Sequence, residues 1–197
     1  MLDDPTHTPH RLQPTRGPTG KQVFVRDSRR LVYVSGAPGS GKTSLAAPLA
    51  AELGYALLTK DRIKETLHDA FGAPESDLAW SRRLGGAAME LLWALAADAP
   101  AVVIEANFRP YSEYEREKLS TLAAHPVEVY CACPPELAVQ RYNARVIHPV
   151  HVVTTLELND MAEYDRPVGI GSLVTVDTTV PVDVPAVAAT VRACRDR

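Results

Sequence analysis

Short apolar runs in this chain end in polar clusters whose residue types suit the handling of phosphate. The clearest is Gly36-Ala37-Pro38-Gly39-Ser40-Gly41-Lys42-Thr43, which satisfies G-x-x-x-x-G-K-[ST] and is followed by Ser44. Glycines allow a close backbone approach, so loop N–H groups can converge on phosphate oxygens at the start of a helix. In that arrangement Lys42 reaches the β- and γ-phosphates and the Thr43 hydroxyl sits on Mg²⁺. An ordinary glycine-rich turn is the competing reading. The intact Gly-Lys-Thr, with a strand before and a helix after, argues against it. The motif implies a bound nucleoside triphosphate.

The other candidate groups lie at comparable places along the chain. Asp61 and Arg62 stand in TKDRIKE. Asp61 can cap the helix that follows, accept the proton of an attacking hydroxyl, or do both. Glu105 closes the apolar run AVVIE. There it could hold Mg²⁺ directly or through water, contact substrate, or simply be solvated. Arg141 and Arg145 are four apart and project from one helix face just before a loop. Such a pair suits closure over a triphosphate and stabilisation of transition-state charge; pairing with a helix C-terminal dipole is the alternative. His148 and His151 in HPVH, with Cys131 and Cys133, lack any standard zinc spacing, and a lid loop near substrate is the more economical reading. Arg82 and Arg83 beside Gly85-Gly86, and Asn107 and Arg109 in EANFR, are expected to face each other across an acceptor pocket. Arg62, Arg82, Gly86, Asn107 and Arg109 are thus the acceptor-binding candidates.

These groups need a scaffold that gathers strand ends. Leu31–Ser35, Tyr55–Thr59, Ala101–Glu105, Val127–Ala132 and Leu173–Val176 read as short strands. Helices are expected from Lys42 to Leu53 (closed by Gly54, with a kink or a tightened first turn where Pro48 removes a backbone hydrogen bond), after Asp61, over Ser76–Ala97, over Tyr111–Ala124, from Pro135 to about Arg145, over Leu156–Tyr164 and over Val184–Cys194. In the long helix, Trp80, Leu84, Ala88, Leu91 and Leu95 form the expected core face, and Gly85-Gly86 implies a close neighbour. Strand alternating with helix predicts a parallel sheet covered by helices, with ligands beyond the carboxyl ends of the strands. Residues 1–29 carry four prolines and few large apolar side chains, so a disordered basic arm is expected, with a short edge strand over Val23–Val25 as its one structured piece.

The chain has 197 residues, 46% hydrophobic and 23% charged, enough for one α/β domain, assigned to residues 30–197. Its formal net charge of −3 argues against nucleic acid as a partner. No apolar run approaches a membrane span. The three cysteines, Cys131, Cys133 and Cys194, fit a reducing cytoplasm better than a disulfide framework. Oligomeric state is left open.

Taken together, the phosphate loop, TKDRIKE, EANFR, RYNAR before HPVH, and VDTT resemble the zeta-toxin and chloramphenicol-phosphotransferase-like branch of P-loop kinases. The resemblance spans about Leu31 to Val191. It implies a nucleoside-monophosphate-kinase-like fold, with a five-stranded parallel sheet in order 2-3-1-4-5, helices on both faces and a short lid. It also implies ATP and Mg²⁺, a catalytic aspartate at Asp61 and lid arginines at Arg141 and Arg145. The loop Thr178–Val182, including Pro181, would flank the adenine, with Arg141 on its opposite face. Where many relatives carry aspartate at the third strand end, this chain has Glu105. The expected activity is transfer of the γ-phosphoryl of ATP to a hydroxyl of a small molecule such as an antibiotic, sugar or nucleotide sugar. A polynucleotide 5′-hydroxyl kinase and a non-catalytic nucleotide switch are the alternatives.

Overall fold

The computed structural model describes residues 15–16, 22–23, 29–72, 77–146, 148–152 and 155–195. Five strands form the central sheet: β1 (Arg30–Ser35), β2 (Ala56–Thr59), β3 (Ala101–Glu105), β4 (Val127–Ala132) and β5 (Ser172–Asp177). All their pairings are parallel, and their spatial order is β2-β3-β1-β4-β5, the 2-3-1-4-5 arrangement. Most of the amino-terminal segment read as a disordered arm lies outside the described residues. Within it, Thr15–Arg16 pairs antiparallel with Gln22–Val23. Of the edge strand expected over Val23–Val25, Val23 pairs within this separate ribbon, and residues 24–25 lie outside the described residues.

Both faces of the sheet are apolar, so β1 reads as an unbroken hydrophobic run with period-two partners. Val32 and Val34 pack with Leu45, Leu49, Val129 and Val191 on one side. Leu31 and Tyr33 pack with Leu92, Trp93, Phe108 and Leu119 on the other. The first side is covered by α1 (Lys42–Leu53) and α6 (Val184–Arg195), the second by α3 (Leu78–Asp98) and α4 (Glu113–Leu122). Helices α2 (Lys60–Phe71) and α5 (Pro135–Asn143) stand at the carboxyl ends of the strands, and a 3₁₀ helix (Leu158–Tyr164) precedes β5.

Pro48 sits inside α1 as expected, and the carbonyl it leaves unpaired, that of Ser44, is on the exposed face. Two local expectations need correction. Asp61 is not a cap: Thr59 is the N-cap of α2, and Asp61 lies in its first turn. The buried side of α3 is Ser81, Leu84, Ala88, Leu92, Trp93 and Ala96, while Leu91 and Leu95 are 41% and 47% exposed. Asp77 starts the helix by accepting from the amides of Ala79 (2.8 Å) and Trp80 (3.3 Å).

A buried carboxylate fixes the approach to β5. Glu128 is fully buried between Tyr33 and Ser35 of the neighbouring strand. It accepts from Ser35 Oγ (2.5 Å), Tyr33 Oη (2.9 Å) and the amides of Val168 and Gly169 (2.8 Å each). Four donors satisfy side-chain oxygens that would otherwise be costly to bury. Burial also raises the Tyr33 phenol above its ordinary value, with Glu128 adding to the shift, so Tyr33 stays a donor.

Candidate active site

The loop between β1 and α1 is shaped by what its neighbours permit. Gly39 has φ +80°, and a Cβ there would lie 2.0 Å from the carbonyl oxygen of Ala138 in α5. Gly41, at φ +90°, is the N-cap of α1 and offers no side chain to its amides. The first turn also holds no acidic residue, so its N–H groups and the positive end of the helix dipole face the cavity without an internal anion. Ser40 Oγ is buried without a hydrogen-bond partner among the described residues. This cradle of amides is chemically complementary to phosphate.

Lys42 is 4% exposed and its Nζ donates to the Ala37 carbonyl at 2.7 Å, folding the side chain back over the loop. Burial lowers its ammonium below the ordinary value, while Glu105, Cys131 and Asp61 oppose that shift. Glu105, itself 4% exposed, is pushed up by burial and drawn down by Lys42. For Asp61, burial pushes the carboxyl up, but Lys60 at 3.2 Å, His151 and Lys42 outweigh it and hold the group below its ordinary value. Asp61 is therefore an anion across the neutral range.

Two cavities meet over these groups. One, of about 480 Å³, runs along Gly41 and Lys42 past Arg141 to Thr178, Pro181 and Val182. The other, of about 390 Å³, runs from Thr59 and Arg62 along α2 to Glu65, His148 and His151. Thr43, Asp61, Glu105 and Arg145 line both, so they mark the junction of one two-armed cleft.

The two arginines divide between those arms. Arg141 Nη1 donates to the Thr178 carbonyl at 3.0 Å, which places it at the β5 end of the first arm. Arg145 lies beyond α5, which ends at Asn143, and stacks over the Tyr142 ring at 4.1 Å while lining the junction. The shared helix face expected for the pair is lost because the helix stops two residues before Arg145. Thr178, read from sequence only as a flank of the base, also braces the loop: its Oγ1 donates to the Ser40 carbonyl at 2.7 Å.

The acceptor candidates separate in the same way. Asn107 lines the first arm and Arg62 the second. Arg82 is exposed on α3, a Cβ at Gly86 would meet no atom within 4 Å, and neither residue lines either arm. Arg109 pairs with Glu163 at 3.3 Å, and its backbone amide is held by Glu115 at 2.7 Å, so it braces the 3₁₀ helix and not the cleft. The pocket expected between α3 and EANFR is replaced by one between α2 and the 148–152 loop. Glu65 and His151 bound that pocket, and 86 positions of sequence between them hide the pairing from a local reading.

Sequence and structure comparisons fit this geometry. A family model described as an AAA domain matches residues 31–167, a span that holds the phosphate loop and the whole second arm of the cleft. The chain belongs to the AAA domain family. Among solved structures, this AAA domain is similar to a candidate kinase from Chloroflexus aurantiacus, at 29% identity and a TM-score of 0.70, covering 84% of this chain and 98% of that one. It shares the fold of shikimate kinase from Acinetobacter baumannii (20% identity, TM-score 0.55, 84% and 92% covered). It also shares that of a gluconokinase from Sinorhizobium meliloti (19%, 0.52, 87% and 94%). The resemblance to P-loop kinases drawn from the motifs therefore holds. No curated protein matches the sequence. No helix among the described residues is long and apolar enough to cross a membrane.

Proposed function

We propose that this AAA domain is an ATP-dependent kinase that transfers the γ-phosphoryl group to a hydroxyl of a small molecule such as an antibiotic, sugar or nucleotide sugar. The observation that carries this reading is the two-armed cleft, whose arms meet at Thr43, Asp61, Glu105 and Arg145. A binding module needs only the nucleotide arm; a transferase needs a second arm that brings an acceptor to the phosphate end.

In this reading the loop from Gly36 to Ser44 and the first turn of α1 hold the triphosphate. Arg141, Thr178 and Pro181 lie at the adenine end. Lys42 and Arg145 stabilise charge on the moving phosphoryl group. Asp61 orients the acceptor hydroxyl, with Arg62 and Asn107 beside it. A hydroxyl and a carboxylate, Thr43 and Glu105, form a hard-oxygen donor set that suits Mg²⁺, bound by Glu105 directly or through water. When bound, the ion neutralises phosphate charge. Residues 30–197 form the kinase domain and 1–29 an arm outside it; deleting the arm leaves ATP affinity unchanged in calorimetry, and a large loss would place the arm on the site.

ADP release with Mg-ATP, measured against a panel of hydroxyl compounds, tests the activity. Stimulation above the acceptor-free rate by at least one compound is expected. ATP binding without stimulation by any of them would favour a switch.

A further inference from the structure

The HPVH segment, noted in the sequence for its histidines, lies along α2 and α3. His148 Nε2 is 3.1 Å from Asp69 Oδ1, and His151 Nε2 is 3.0 Å from Glu65 Oε1. Between them Val150 is 2% exposed, and its carbonyl accepts from Ser81 Oγ at 2.6 Å. Ser81 in turn accepts from Lys64 Nζ at 2.8 Å. The loop is thus anchored at three points, and each histidine is held by a carboxylate.

The two rings differ at their second nitrogen. His148 Nδ1 accepts from the Val150 amide at 3.2 Å, so it is already used. His151 Nδ1 makes no hydrogen bond among the described residues. A carboxylate only accepts, so Glu65 fixes the proton of a neutral His151 on Nε2 and leaves the lone pair on Nδ1. His151 lines the acceptor arm together with Asp61, and its side chain is 13% exposed. A carboxylate that orients an imidazole, with the far nitrogen unpaired beside a reaction centre, is the geometry of a general base.

We propose that His151, oriented by Glu65, takes the proton of the acceptor hydroxyl during phosphoryl transfer. This rests on the kinase reading above. The O–H bond of the acceptor breaks and its proton moves to Nδ1. The oxygen's electron pair forms the new O–P bond. The bond from the γ-phosphorus to the bridging oxygen breaks, and ADP leaves with that pair. The imidazolium then returns its proton to solvent.

The charged and titratable groups around the ring are Asp61, Arg62, Lys64 and Glu65 of α2, Glu105 at the end of β3, Arg145 after α5, and His148 of its own loop. Burial lowers the His151 pKa below the ordinary value, with Lys64 acting the same way and Asp61 and Glu65 opposing. The ring is therefore neutral, and able to accept a proton, at neutral pH. Asp61 is held below its ordinary value and is better placed to orient the hydroxyl than to keep its proton.

Water serves as the probe hydroxyl. Acceptor-free hydrolysis of Mg-ATP by the full chain is followed from pH 5 to 9, beside ATP calorimetry and thermal melting. Wild-type kcat should fall on the acid side as His151 becomes protonated. In H151Q, where the amide keeps a donor for Glu65 but no basic nitrogen, kcat should fall on the order of 10²-fold. The acid limb should vanish and ATP affinity should stay. D61N should lose rate yet keep the limb. H148Q, which frees the neighbouring loop anchor, should also keep the limb. If H151Q melts early, H151N is read in its place. An unchanged limb in H151Q, an equal loss of the limb in H148Q, or a wild type that binds ATP but hydrolyses none at any pH would overturn the proposal. A wild type that fails to bind ATP would overturn the kinase reading itself.

Discussion

Thr178 and Ser40 are 138 positions apart, yet the threonine hydroxyl donates to the serine carbonyl at 2.7 Å. The same side chain lies 3.0 Å from the Ala132 carbonyl, so the ends of β4 and β5 are tied to the phosphate loop at one point. A loop rich in glycine gains rigidity from outside itself, and a preorganised loop loses less entropy when it binds.

Thr178→Val keeps the shape and removes the donor. A hydrogen bond of this kind contributes about 1 kcal/mol. ATP affinity measured by calorimetry should therefore fall about three- to tenfold, with the melting temperature little changed. Unaltered affinity would show that the loop is held by its own turn alone.

Two glycines should respond in opposite ways to alanine. At Gly39 the new Cβ would lie 2.0 Å from the Ala138 carbonyl, and φ +80° adds backbone strain. Gly39→Ala should destabilise the protein and abolish ATP binding. At Gly86, inside α3, a Cβ meets nothing within 4 Å. Gly86→Ala should raise stability by about 1 kcal/mol in urea unfolding and leave ATP binding alone. A destabilised Gly86→Ala would reveal a close neighbour of α3.

Lys42 and Asp61 act at different moments in the proposed reaction. Lys42→Ala should weaken ATP binding and slow transfer together, because its charge meets phosphate before and during the step. Asp61→Asn should keep ATP affinity and reduce turnover on the order of 10²-fold, because the acceptor hydroxyl is no longer oriented. Calorimetry with single-turnover transfer separates the two; wild-type turnover in Asp61→Asn would remove Asp61 from the mechanism.

Glu128→Gln turns a four-bond acceptor into a group that faces some of its donors with its own N–H. The expected loss is about 2–3 kcal/mol, read as a lower denaturation midpoint at unchanged slope. Glu128→Gln at wild-type stability would mean that the Val168–Ile170 turn is held by Tyr33 alone.

What is legible in the sequence and what is hidden follow the range of the interactions involved. The phosphate loop is eight consecutive residues, and the strands are short apolar runs, so both can be read locally. Asp61 looks like a cap but is not one, because the helix begins at Lys60, two residues before the expected start, and chain geometry at a strand end is not encoded in a single residue. The buried side of α3 differs from the expected one because distant residues select it: Ser81 meets the Val150 carbonyl and Lys64, and Leu92 and Trp93 pack with Leu31, Ile104 and Phe108. The acceptor arm lies on α2 and not α3, because its walls, Glu65 and His151, meet only once the chain has folded. Arg109 illustrates the same limit: its partners, Glu115 and Glu163, decide its role, and one of them lies 54 residues away.

Trp80 lies beside Pro149, Val150 and Val152, where the anchored loop meets α3. Only two tryptophans occur in the chain. The other, Trp93, is 3% exposed against Phe108 and gives a constant emission background. Displacement of the loop would exchange an apolar neighbour of Trp80 for water and move its emission to longer wavelength. Trp80 is thus a built-in optical reporter of the 148–152 loop, and stopped-flow fluorescence can follow that loop during nucleotide binding without any attached dye.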